Sequence, residues 1–223
     1  MTPIHKGIRS IIYDLGRELQ TTDFTDARAT EVMVSRLKQE PTFPSTNCLL
    51  CLLHEHAQTE EKFIFPEVRP FESKLVDELL EEHKWIVGKI ADVRRIADDV
   101  KSLGNPPERI EMGGKLNHAT NELFAFYLAH LNNEEARFIP AMWKHLTDEQ
   151  LFDLRARIVK ALPRDSGVQM NSWVFPSLNI NELTGLFMGL KSGPAQALED
   201  MSRQAEKALG DDRWAALKAK VGL

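Results

Sequence analysis

HAQTEEKFIFP, residues 56–66, returns as HLNNEEARFIP at residues 130–140. Each copy has a histidine, two glutamates beginning four residues on, and a proline at the tenth place after the histidine. Four residues make one helical turn plus a little, so in a helix each histidine and the first glutamate after it project from one face. Each copy is therefore a two-donor face, and the apolar residues around it decide which way that face turns.

Outward from the first copy, a helix is predicted from about Thr46 to Phe65, with Leu49, Leu52, Leu53, His56, Glu60, Phe63 and Ile64 on one side and Pro66 stopping it. The second copy closes a helix running to Ile139, with Leu116, Leu123, Phe126, Tyr127, His130, Glu134 and Phe138 inward; Gly113 and Gly114 are expected to delay or bend its start. Between them, Ser73 opens a stripe of Val76, Leu79, Leu80, His83, Val87, Ile90 and Val93 that ends at the turn sequence GNPPE. Ahead of both, Ile4, Ile8, Ile11, Ile12, Leu15 and Leu19 recur at helical spacing, with His5 in line with Ile8, Ile12 and Leu19. No strand signal intervenes. The fold class expected is all-α, an up-down-up-down four-helix bundle. A short extra helix, capped among Thr21, Thr22 and Asp23, ends near Lys38, and Pro41 and Pro44 separate it from the next segment.

After His145 the character changes. A capping box at Thr147–Gln150 starts another helix, and PRDSGVQMNSWVFPSLN then reads as a linker in which Trp173, Val174 and Phe175 look exposed. Such a linker packs across the bundle, forms a dimer interface or covers the site as a lid. Two or three short helices fill the remainder. The domains expected are a bundle over residues 1–145 and a helical extension over residues 146–223, packed on the bundle or on a partner subunit as a homodimer.

The composition, 43% hydrophobic and 27% charged over 223 residues with a net charge of -5, suits a globular chain and offers no basic stripe for a phosphate backbone. No apolar run approaches the roughly 18 residues of a membrane span, and MTPIHKGIRS lacks the apolar centre of a leader. Neither nucleic acid nor membrane is an expected partner, and the expected location is cytoplasmic. Cys48 and Cys51 lie in NCLLCLL, where Ser45 as a cap would set both near a helix N-terminus that favours thiolates. With no preceding strand and leucines all round, the expectation is two buried thiols rather than a redox pair.

His-x3-Glu occurs four times, at His56, His118, His130 and His145. Lys115 and Asn121 around His118 turn that pair to water, and Glu149 belongs to the capping box of the next helix. The pairs at His56 and His130 instead interrupt apolar stripes, where an unpartnered carboxylate is costly to desolvate. The inward faces carry no lysine or arginine, whereas His5 and His83 stand on the other two helices. Four imidazoles and two carboxylates converging in a bundle suit iron, manganese or zinc, and two bridging carboxylates would hold two ions. His54 falls on another side of its helix, and Glu61 and Glu135, one step off the inner face, are expected in solvent.

The order His5, HAQTE, His83, HLNNE resembles the hemerythrin family, specifically its bacterial HHE cation-binding class, over about the first 145 residues. The resemblance implies a non-haem di-iron centre in which His5 and His56 bind one iron, His83 and His130 bind the other, and Glu60 and Glu134 bridge them. The family's oxygen carriers have a second histidine one turn along the third helix; here Leu79 and Val87 stand four residues either side of His83. That difference leaves positions open for oxygen, nitric oxide, peroxide or a related small species. Ferritin-like sites use Glu-x2-His pairs and more carboxylate, and the chain has no Glu-x2-His. Sensing, storage or stress protection by ligand binding is the function expected. The alternatives are an enzyme turning over peroxide or nitric oxide, and an interaction module with a structural zinc or no metal.

Overall fold

The computed structural model describes residues 2–38, 48–162 and 164–223, without the side chains of residues 164–166. The expectations for Pro41, Pro44, Ser45 and Thr46 lie outside the described residues. Among those described, every regular element is helical. Two compact units divide the chain: Ile12–Ala161, and Met1–Ile11 with Leu162–Leu223.

The first unit is the bundle. Helix α1, Pro3–Thr21, enters it with Ile12, Leu15 and Leu19 buried, and Gly16 faces the Phe124 ring. The short α2, Ala27–Leu37, packs on α3, Leu49–Thr59, and on α5, Ser73–Ser102. Its cap is Asp26, whose side chain accepts from the N–H groups of Arg28 and Ala29, rather than the earlier Thr21, Thr22 or Asp23. α5 has 30 residues and spans roughly 45 Å at 1.5 Å per residue. It turns through Leu103–Asn105 into the antiparallel α6, Pro106–Asn133, whose first residue is a proline with no N–H to leave unpaired.

Buried Arg109 ties this end of the bundle together. Its guanidinium donates to the carbonyls of Phe24 (3.0 Å), Thr25 (2.5 Å), Leu103 (3.1 Å) and Gly104 (3.2 Å), satisfying two loops at once. One turn on, Gly113 does not delay α6, which already begins at Pro106. A Cβ there would sit 2.4 Å from the Phe24 ring, so this glycine serves close approach. Along α5 the stripe departs from expectation at one place: Ile86 is fully buried and Val87 is 41% exposed. The helix presents the residue three places after His83 to the core, not the one four places after.

Cys48 and Cys51 are joined as a disulfide, not held as two thiols, with Cα atoms 5.2 Å apart. The reason lies in the cap. Cys48 is the N-cap of α3 and its sulfur accepts from the Cys51 N–H at 3.0 Å, so the first turn itself brings the two side chains together. Beyond α6 come α7, Ile139–His145, and α8, Asp148–Ala161, opened by the expected capping box: Thr147 N–H donates to Gln150 Oε1, and Gln150 N–H to Thr147 Oγ1.

The second unit has its own core. The stretch expected as a linker is helix α9, Arg164–Ser177, and it is followed by α10, Ile180–Lys191, α11, Ala195–Leu209, and α12, Asp211–Val221. Val174 and Phe175 are not exposed: they bury with Leu183, Phe187, Trp214 and Leu217. Proline, serine and asparagine made the stretch read as loop, yet Met170, Val174 and Leu178 recur every four residues and supply the helical stripe. The start of α1 belongs here, where a Cβ on Gly7 would meet Val174 Cγ2 at 3.0 Å and Lys6 pairs with Glu182 at 2.5 Å. No helix of the described residues is long and apolar enough to cross a membrane.

Candidate metal centre

The repeated segments share an unexpected backbone. Each passes from α-helix into a single π turn that begins at the glutamate: Glu60–Ile64 after α3, and Glu134–Phe138 after α6. The Phe65 N–H donates to the Glu60 carbonyl and the Ile139 N–H to the Glu134 carbonyl, each five residues back. Pro66 and Pro140 fall in the first turn of the α-helical segments that follow, where a missing N–H costs least. Pro66 therefore does not stop the helix, which continues as α4, Phe65–Val68.

The π turns deliver both glutamates to one point. Ligand atoms of Glu60, His83, His130 and Glu134 all lie within 4.8 Å of one another, and so do those of His56, Glu60 and Glu134. His56 Nε2 is 3.3 Å from Glu60 Oε1, and His130 Nε2 stands at the same 3.3 Å from Glu134 Oε1. His83 Nε2 is 3.2 Å from His130 Nε2 and 3.6 Å from Glu60 Oε2. Glu60, Glu134, His83 and His130 are buried, and only 9% of the His56 side chain is exposed. Phe65 stacks on His83 with ring centres 5.2 Å apart and meets Phe138 edge-on at 5.1 Å, closing one side with hydrocarbon.

Two carboxylates outside the cluster aim the imidazoles. His83 Nδ1 is 2.9 Å from Glu61 Oε1; His130 Nδ1 is 2.6 Å from Glu82 Oε2, whose other oxygen accepts from Asn133 at 2.8 Å. With Nδ1–H donating outward, each ring turns Nε2 into the cluster. Glu61 is exposed as expected, its side chain 42% open to solvent, yet it also reaches His83; Glu82 carries no sign of its role in the sequence pattern. The doubled glutamate in each repeat was the available sign for Glu61; the role of Glu82 depends on how closely α5 approaches α6, which no local pattern encodes.

Burial and close approach shift the acids and bases of the cluster against one another. Burial, then the Glu134 carboxylate beside it, holds the Glu60 carboxyl well above the usual carboxylate range. His83 is lowered by burial and by neighbouring His130. Burial would lower His130 too, but its hydrogen bonds with Glu134 and Glu82 outweigh this and raise it to about 9. The two glutamates thus favour positive charge on this imidazole, at the place where a metal ion would supply it. Glu60 Oε2 accepts no hydrogen bond among the described residues. Nitrogen donors aimed inward, paired buried carboxylates and an uncommitted carboxylate oxygen fit a divalent cation.

Of the six predicted ligands, five gather in the bundle unit in this way. His5 lies on the part of α1 that belongs to the other unit, where it is 3% exposed. Tyr127 is a core residue whose hydroxyl donates to the Leu53 carbonyl at 3.3 Å, and burial raises its pKa well above the ordinary phenol value. His118 is exposed beside Glu122, and His145 pairs with Glu72 at 3.2 Å while stacking on Phe71, so neither joins the cluster.

Residues 1–142 match the family described as Hemerythrin, hemerythrin HHE cation binding domain. No curated protein and no solved structure matches the chain.

Proposed function

The chain belongs to the hemerythrin HHE cation-binding family, and from that premise we propose that it holds two iron ions and binds oxygen, nitric oxide or a related small species for sensing, storage or protection. In this reading Glu60 and Glu134 bridge the ions, His83 and His130 complete one set of donors, and His5 and His56 complete the other. The observation that carries it is the double membership of the two glutamates. Both lie within 4.8 Å of His56 and also within 4.8 Å of His83 and His130. Zinc and manganese accept the same donors, so the choice of iron rests on the family.

Bound iron supplies reversible redox change and open positions for a small ligand. The chain's own residues do the rest. Glu61 and Glu82 fix ring orientation, Phe65 and Phe138 keep water from one side, and the Tyr127 hydroxyl is committed to the Leu53 carbonyl. Leu79 and Val87, four residues either side of His83, bring no donor, which favours an incomplete coordination sphere.

The test is elemental analysis of protein purified without added metal, with absorption spectra before and after reduction. About two irons per chain, with a visible charge-transfer band that fades on reduction, are expected, and Glu60→Ala or Glu134→Ala should bring the content to about one or fewer. No metal, or one colourless zinc unaffected by both variants, overturns the reading.

A further inference from the structure

The Cys48–Cys51 disulfide takes no part in the metal centre, and its position fits exchange better than reinforcement. Both cysteines lie at the start of one helix, so the bridge ties no two elements together. A loop this short also restricts the unfolded chain least, so the bridge does little as a staple. The two sulfurs differ. Cys48 is 1% exposed and, as N-cap, its sulfur accepts the Cys51 N–H at 3.0 Å at the positive end of the helix. Cys51 is half-buried, and the half-buried Arg94 places Nη2 3.7 Å from its sulfur.

We propose that Cys48 and Cys51 form a redox-active dithiol–disulfide couple that exchanges two electrons with an external dithiol, with attack at Cys51. The attacking thiolate bonds to Cys51 Sγ, the Cys48–Cys51 bond breaks, and its electron pair leaves on Cys48, whose thiolate the helix N-terminus and the Cys51 N–H stabilise. The second thiol of the reductant, deprotonated in turn, attacks the reductant's own sulfur in the mixed disulfide. Cys51 departs as a thiolate beside Arg94. Two protons from the dithiol end on the protein sulfurs or in solvent: the protein disulfide is reduced, and the external dithiol is oxidised to its disulfide. The reverse sequence closes the couple, and none of it depends on the metal reading.

The test equilibrates the folded full chain, without oxygen, with mixtures of reduced and oxidised dithiothreitol, then quenches with acid, alkylates the thiols and counts them by mass. Reversible conversion between no thiols and two, with unchanged circular dichroism, is expected. Arg94→Gln removes the cation beside the Cys51 thiolate and should move the equilibrium constant toward the disulfide by about three- to tenfold. In single-cysteine chains challenged with oxidised glutathione, Cys48→Ser, which keeps Cys51, should form the adduct about tenfold faster than Cys51→Ser, which keeps Cys48. A disulfide that resists excess dithiol until the chain is denatured overturns the proposal, as do thiols that never pair under oxidised dithiothreitol. Faster adduct formation at Cys48, or an equilibrium indifferent to Arg94→Gln, overturns the roles given to Cys51 and Arg94.

Discussion

The hydrogen bond of 2.6 Å from His130 to Glu82 sets the direction of the imidazole and, after the bond with Glu134, adds to its basicity. Glu82→Ala removes it and frees Asn133 as well, so metal affinity should fall about 10–100-fold by competition with a chelator. Glu61→Ala should cost less because the Glu61 side chain is 42% exposed against 26% for Glu82. Equal loss from the two variants would contradict that ranking. Protons obey the same geometry. In metal-free protein His130 is raised to about 9, so its contribution to stability is complete below the unfolded value near 6.5 and is lost as pH rises through about 9. Glu60, also raised, acts in the same direction above the ordinary glutamate range, and the effect of lowered His83 is complete above about 6.5. The melting temperature of metal-free protein should therefore fall between about pH 6.5 and 9, and added iron(II) should abolish the slope and release protons. A metal-free melting temperature that rises over this range would refute the assignment. The inward donors were legible because an ionisable residue on an apolar stripe stands out in one dimension. Glu61 and Glu82 were not, since each meets its histidine across a helix boundary.

Among elements, the four bundle helices were readable from their stripes, because burial on one side imposes a 3.6-residue period whatever the partner. What escaped is what period alone does not carry. α9 hid behind residues typical of loops, and the π turns hid because widening a helix by one residue leaves composition unchanged. The disulfide escaped too, since it depends on where α3 begins. Gly113 was read as a weakness in α6 and is a point of contact instead. Gly113→Ala gains about 1 kcal/mol of helix propensity but drives a methyl into the Phe24 ring, where overpacking typically costs 1–3 kcal/mol. A net destabilisation of up to about 2 kcal/mol in urea unfolding is expected. A variant more stable than the parent would mean that Phe24 moves aside freely.

Over the whole molecule, two cores coexist, one in the bundle and one among α9, α10, α11 and α12. Buried glutamates facing one another oppose the packing of the bundle, and a bound cation would remove that opposition. Iron(II) at about a hundredfold its dissociation constant should raise the unfolding free energy by about 2.7 kcal/mol per independent site, growing with the logarithm of its concentration. A chelator should reverse the gain, and midpoints indifferent to iron would count against metal binding by the folded chain. The two π turns add a constraint of a different kind. A π turn is a helix holding one residue more than its α-helical counterpart, so the His–Glu pair and the segment that ends at the proline, Ile64–Phe65–Pro66 or Phe138–Ile139–Pro140, are set about 100° out of phase. Loss of a single codon within 61–64 or 135–137 would erase that offset and swing Phe65 or Phe138 away from the histidines while leaving His56, Glu60, His130 and Glu134 in the chain. The spacing of these segments is therefore as much inherited information as their letters, and at positions other than Glu60, Glu134 and Phe138 substitutions should be tolerated far more readily than insertions or deletions.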